Sequence, residues 1–143
     1  MDVTQAKDWQ DKAVARIVNK YGRLDVLVSN AGGALQNEDI EHMKTSNVDK
    51  IIAHNLNSVI YGCKAFSSLM KLQNSETIIN LSSVCSKHAW PGWSVYAVAK
   101  WGVVGFSKNI YVDLRPFGIR ITCVIPGAGA TDFMKHAVAR IWI

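Results

Sequence analysis

The sequence predicts an α/β protein built on a parallel sheet, and three observations carry that reading. Short apolar runs alternate with long stretches of helical periodicity, in the order helix, strand, helix, strand, helix, strand. The runs are nearly continuous rather than alternating, as expected of parallel strands covered on both faces. Each run stops in a small or polar turn: Asn30-Ala31-Gly32, Ser82-Ser83 and Pro126-Gly127. Right-handed crossovers at this spacing put the three strand ends on one edge of the sheet, where α/β proteins bind ligands.

The elements follow in order. Thr4 is a candidate N-cap, and Ala13, Val14, Ile17, Val18 and Tyr21 recur at helical spacing up to Gly22, a natural stop. Leu24 to Ser29 is the first strand, with Asp-Val-Leu-Val at its centre. A long helical stretch from Thr45 to Leu72 carries Val48, Ile51, Ile52, Leu56, Val59, Ile60 and Cys63 on its apolar side. Thr77 to Leu81 is the second strand. The next helix runs from Ser94 to Arg115 and is closed by Pro116-Phe117-Gly118, after which Ile119 to Ile125 forms the third strand. Thr131 to Trp142 reads as a short amphipathic helix. No repeat, linker or charge block divides the chain, so residues 1–143 are expected to form a single domain.

Composition narrows the function. Of 143 residues, 49% are hydrophobic and 19% charged, enough apolar material for one globular core. The 16 basic and 11 acidic residues leave a net charge of +5. The basic residues are dispersed, with no run of four, so no electrostatic footprint for a nucleic acid is present. No apolar run approaches the ~20 residues needed to span a bilayer. Met1 to Gln10 lack the basic and apolar regions of a secretory signal. Cys63, Cys85 and Cys123 form no Cys-x-x-Cys pair and read as small buried hydrophobes in a reducing, cytoplasmic setting. His42, His54, His88 and His136 lack metal-ligand spacing, and no metal site is expected.

Tyr96 and Lys100 carry the chemistry. Four residues apart in a helix, they share one face. A free tyrosine has a pKa near ~10 and is a poor acid or base at neutral pH, and a nearby ammonium pulls that value down. Such a pair suits proton transfer to or from an alcohol. Ser83, at a strand end, has a hydroxyl placed to polarise a carbonyl oxygen; its neighbour Ser82 is the alternative. On its own, Tyr-x-x-x-Lys also fits a half-buried aromatic beside a lysine whose stem lies along apolar surface. Trp90, Trp93 and Trp101 are candidates for a bulky pocket wall, with core or interface packing as the competing explanation.

Five ordered segments, LDVLVSNAGG, HNLNSVIYGCKAF, IINLSSV, YAVAKWGVVGFSK and FGIRITCVIPGAGAT, resemble the short-chain dehydrogenase/reductase family over nearly the whole chain. The resemblance implies a Rossmann-like, doubly wound parallel sheet and metal-free, reversible hydride transfer between NAD or NADP and a small carbonyl or alcohol substrate. It implies Tyr96 as general acid/base, Ser83 on the substrate oxygen, and Lys100 both lowering the Tyr96 pKa and holding the nicotinamide ribose. Asn55 matches the family asparagine whose backbone holds a water linking Lys100 to solvent; a helix kink or a buried hydrogen-bonded amide are the other readings. Asn30, Ala31 and Gly32 match the motif beside the adenine ribose, with Ser29 where its first Asn usually stands. Pro126, Gly127 and Thr131 match the loop around the carboxamide and pyrophosphate, although Thr131 also suits a helix cap. Asp2 falls where the family places an acidic residue against the adenine.

None of the ten glycines forms the family's Gly-x-x-x-Gly-x-Gly turn. The chain is therefore expected to hold the second half of the fold, truncated at both ends, with an open edge at Leu24–Ser29, exposed apolar sheet surface and weak cofactor binding on its own. Helices 45–72 and 94–115 match those that commonly form the family's dimer interface, which implies a homo-oligomer. The alternative to an enzyme is a catalytically inactive module acting through that dimerisation surface.

Overall fold

The computed structural model describes residues 1–34 and 38–127 together with Gly129 and Phe133. Three parallel strands, β1 (Val26–Ser29), β2 (Thr77–Leu81) and β3 (Arg120–Val124), lie in the order β1-β2-β3. Ser29 pairs with Asn80, and Asn80 with Cys123, so the three carboxyl ends finish almost level. The α/β class and all three strands fall where the apolar runs place them. The helix read over Thr131 to Trp142 lies outside the described residues except for Phe133.

Helix α1 comprises Ala6–Asp8, a wider π-type turn at Trp9–Val14, and Ala15–Tyr21. Thr4 is not its N-cap. Gln5 holds that position without a side-chain capping bond, and the Thr4 hydroxyl instead donates to the Asp2 carboxylate at 2.8 Å. Helix α2 runs through Thr45–Ile52, a second π-type turn at Ala53–Asn57, and Ser58–Gln73. Helix α3 spans Ser94–Leu114 and closes in a tight turn at Arg115–Phe117. Gly118 follows with φ 72°, and a Cβ there would come within 2.8 Å of the Asn74 carbonyl oxygen, so the turn into β3 requires glycine.

The main core joins Leu27 and Ile78 of the sheet to Val59, Cys63, Phe66 and Met70 of α2 and Val103 and Leu114 of α3, with Trp9, Ala13, Val14 and Ile17 of α1 packed against it. Each fully buried aliphatic side chain here contributes roughly 1.5–3 kcal/mol. All three helices therefore cover the same face of the sheet. Val26, Val28 and Val124 point the other way and are 47%, 52% and 39% exposed. This corrects the expectation of strands covered on both faces. Both crossovers step in the same direction across the sheet, and right-handed steps in one direction land on one face. The exposed apolar surface and the edge position of β1 agree with the expected open half-fold. Among the described residues no helix is long and apolar enough to cross a membrane.

Candidate active site

The carboxyl ends of the three strands converge on the first turns of α3. Tyr96 and Lys100 lie there one turn apart and are 3% and 4% exposed. The Lys100 ammonium lies 5.7 Å from the centre of the Tyr96 ring and donates to the Leu81 carbonyl at 3.0 Å. Ser83 leaves β2 in extended conformation and caps the short turn Val84–Ser86, its Oγ accepting from the Cys85 N–H at 3.2 Å. The same hydroxyl lies near the Tyr96 phenol and favours its charged form. The Ser82 hydroxyl donates instead to the Lys100 backbone carbonyl at 2.8 Å, so the two neighbouring serines serve different groups.

Burial dominates the electrostatics. It pushes the Tyr96 phenol up to about 12, against the Ser83 hydroxyl, which favours the phenolate. Burial also pushes the Lys100 ammonium down to about 8. The net lowering of Tyr96 by Lys100 expected from their spacing is therefore not found. The ammonium is anchored on the Leu81 carbonyl, and burial of the phenol is the largest influence on Tyr96. Burial thus favours the neutral phenol form of Tyr96 at pH 7.

Asn55 ties the first strand end to this pair. It is fully buried inside the π-type turn of α2, a conformation that often marks functional sites. Its Nδ2 donates to the carbonyls of Gly33 and Ile51 at 2.9 Å each, and its Oδ1 accepts from the Gly33 N–H at 3.0 Å. Gly32 has no room for a side chain: a Cβ would stand 2.8 Å from Asn55 Oδ1 and 3.3 Å from Lys100 Nζ. Asn55 is thus the buried, hydrogen-bonded amide that the sequence allowed, and its side chain holds the backbone at Gly33, next to the Asn30-Ala31-Gly32 turn.

Other predicted residues sit around this centre. The Pro126 carbonyl accepts from the Val84 N–H at 2.9 Å, joining the loop after β3 to the loop after Ser83. Asn30, Ala31 and Gly127 are exposed at the strand ends. Asp2 is exposed, and hydrogen bonds from the Thr4 backbone and hydroxyl hold its carboxyl below the usual range. Thr131 lies outside the described residues. Of the three tryptophans, Trp93 meets the Tyr96 ring edge-on at 5.4 Å, Trp90 meets His88 at 6.0 Å, and Trp101 is exposed on α3. Sequence reasoning missed Gly33, the Leu81 carbonyl and Phe133, whose ring lies 5.9 Å from that of Tyr96. Only Gly33 had a signal, its place beside the strand-end turn. The backbone role of Leu81 leaves no trace in residue type.

The family model described as short chain dehydrogenase matches residues 1–141. A 3-oxoacyl-[acyl-carrier-protein] reductase of Synechocystis sp. is 36% identical over 129 residues, 90% of this chain and 52% of that enzyme. A cyclopentanol dehydrogenase of Comamonas sp. is 36% identical over 136 residues, 95% of this chain and 54% of the enzyme. A metagenomic short-chain oxidoreductase solved in complex with NADP superposes with a TM-score of 0.82 at 30% identity, covering 90% of this chain and 57% of that one. The chain spans about half the length of the curated relatives it matches.

Proposed function

The chain belongs to the short-chain dehydrogenase family, an oxidoreductase family, and on that premise we propose that residues 1–143 act as one catalytic domain for reversible hydride transfer to and from a small carbonyl or alcohol substrate. The observation that carries this reading is the buried Tyr96–Lys100 pair, with Ser83 near the phenol, where three parallel strands end. In the reducing direction the Ser83 hydroxyl orients the carbonyl oxygen, and the neutral Tyr96 phenol donates its proton to that oxygen as negative charge develops there. In the oxidising direction Tyr96 must first release its own proton to solvent, and the resulting phenolate then takes the proton of the alcohol. Lys100 keeps a positive charge beside the phenol at neutral pH and favours the phenolate while it exists.

NAD or NADP, when bound, supplies or accepts the hydride. The residues fit such a cofactor: Asn30, Ala31, Pro126 and Gly127 are exposed at the strand ends, and Gly32 closes against Asn55 and the Lys100 ammonium with no room for a side chain. Among the described residues nothing stands within 4 Å of where a Gly127 side chain would be. Asn30, Ala31, Gly32 and Asp2 would hold the adenosine half, and Lys100, Pro126, Gly127 and Thr131 the nicotinamide half.

Trp93 and Phe133 flank Tyr96 with apolar rings, and one relative is named for cyclopentanol; a neutral ring ketone is accordingly the first substrate to assay. The test is NADH or NADPH consumption with cyclopentanone. Turnover that Tyr96→Phe abolishes supports the reading, and undiminished turnover in that variant contradicts it.

A second reading concerns association. Val98, Trp101, Tyr111 and Val112 of α3 and Leu72 of α2 are exposed. A groove of about 280 Å³ between these helices is lined by Ile60, Lys64, Phe106 and Ile110, among others. An apolar surface of this kind suits a second copy of the chain across α2 and α3.

A further inference from the structure

We propose that Ser82 is a positioning residue that sets the register of α3 against β2, and with it the approach of Tyr96 and Lys100 to Ser83. The proposal rests on the catalytic reading above and deepens it. Ser82 is 3% exposed, and its hydroxyl donates to the Lys100 backbone carbonyl at 2.8 Å, while its own N–H donates to the Val124 carbonyl at 2.8 Å. The residue is therefore fixed to β3 by its backbone and to α3 by its side chain.

The next residue back completes the grip. Leu81 offers its carbonyl to the Lys100 ammonium at 3.0 Å, so the last residue of β2 and the residue after it hold the two ends of one lysine. A second tether lies two turns along the helix. The Asn80 side chain donates to Ser107 Oγ at 3.0 Å, and that hydroxyl donates on to the Val103 carbonyl at 2.7 Å. Lys100 and Ser107 are seven residues apart and share a helix face. The Cys63 thiol donates to Asn80 Oδ1 at 3.8 Å, while Ile78 and Val103 of the main core supply apolar packing. Apolar contact is non-directional and tolerates small slides, whereas a 2.8 Å hydrogen bond between buried groups does not. A slide of about 1 Å at Tyr96 is enough to cost catalysis heavily. Removing the Ser82 hydroxyl leaves the carbonyl of Lys100 within its helix, so the expected consequence is misplacement rather than unfolding.

The experiment compares Ser82→Ala and Ser82→Thr in the full chain. Ser82→Ala is expected to keep its circular dichroism spectrum, to lose about tenfold in kcat, and to change KM little. A readout independent of turnover is the titration of Lys100, followed by NMR in protein carrying 13C-labelled lysine. With Tyr96, Cys85 and Cys123 as the neighbouring titratable groups, the midpoint near 8 is expected to move up in Ser82→Ala as the ammonium leaves Leu81 and gains water. Ser82→Thr keeps the hydroxyl and is expected to hold the original midpoint. An unshifted Lys100 titration and unchanged kcat in Ser82→Ala overturn the proposal. So does an activity loss that only follows the folded fraction, or a Thr variant that shifts as far as Ala. A shifted titration in a chain that turns over no substrate leaves the positioning role standing and defeats the catalytic reading instead.

Discussion

Tyr96 and Lys100 are pushed by burial in opposite directions, and each shift has a consequence for stability as well as chemistry. Lys100 releases its proton near pH 8 in the folded protein, whereas an unfolded lysine keeps it to about 10.5. Its burial cost therefore applies in full below pH 8 and fades as the pH rises from 8 to 10.5, so this residue makes stability increase with pH over that window. Tyr96 acts the other way. Between pH 10 and about 12 the unfolded phenol ionises while the folded one does not, and stability falls. Denaturant unfolding from pH 7 to 11 checks both signs, with Tyr96→Phe expected to remove part of the alkaline fall. Lys100→Met is expected to raise stability at pH 7 by about 1–3 kcal/mol and to reduce turnover at least 100-fold; a destabilised Met variant contradicts the burial argument. The identities of these side chains were legible in the sequence because four-residue spacing fixes a shared helix face. Their pKa values were not legible, because desolvation depends on Trp93 and Phe133 packing beside the ring.

At the scale of elements, strands were the most legible parts. Thr77 to Leu81 was placed to the residue, and the other two strands lie within their apolar runs. Helix interiors were less so. The π-type turns at Trp9–Val14 and Ala53–Asn57 arise from tertiary contacts, Trp9 packing on Gly62 and Asn55 bridging to Gly33, and neither contact is local in sequence. The strand alternation Leu27, Ser29 in and Val26, Val28 out was hidden because all four residues have strand propensity or small size. Two substitutions test the packing. Ile78→Ala, at the centre of the covered sheet face, is expected to cost about 2–5 kcal/mol in denaturant unfolding. Gly118→Ala is expected to cost about 1–3 kcal/mol, because the new Cβ meets the Asn74 carbonyl at a positive φ. A loss below ~0.5 kcal/mol in either shows that the contact has been misjudged.

The described residues form two layers, helices on one face of a three-stranded sheet whose other face turns outward with Val26, Val28 and Val124 exposed. The site occupies the end of that sheet and draws on all three strand ends, which is why it was readable as a convergence of turns before any contact was known. Association through α2 and α3 predicts that Trp101→Glu lowers the mass seen by sedimentation without changing the melting temperature of the fold; an unchanged mass distribution excludes that face. The backbone donors of a Gly-x-x-x-Gly-x-Gly turn are absent from residues 1–143, so saturation by cofactor is expected only at high concentration. The central claim is that Tyr96 moves the proton, and one comparison tests it most directly: cyclopentanone-dependent oxidation of NADH and NADPH, at millimolar cofactor, by the parent chain and by Tyr96→Phe. The account predicts measurable turnover in the parent and a loss of at least about 100-fold in the variant at equal thermal stability. Equal rates in the two proteins, or no turnover in the folded parent, would contradict it.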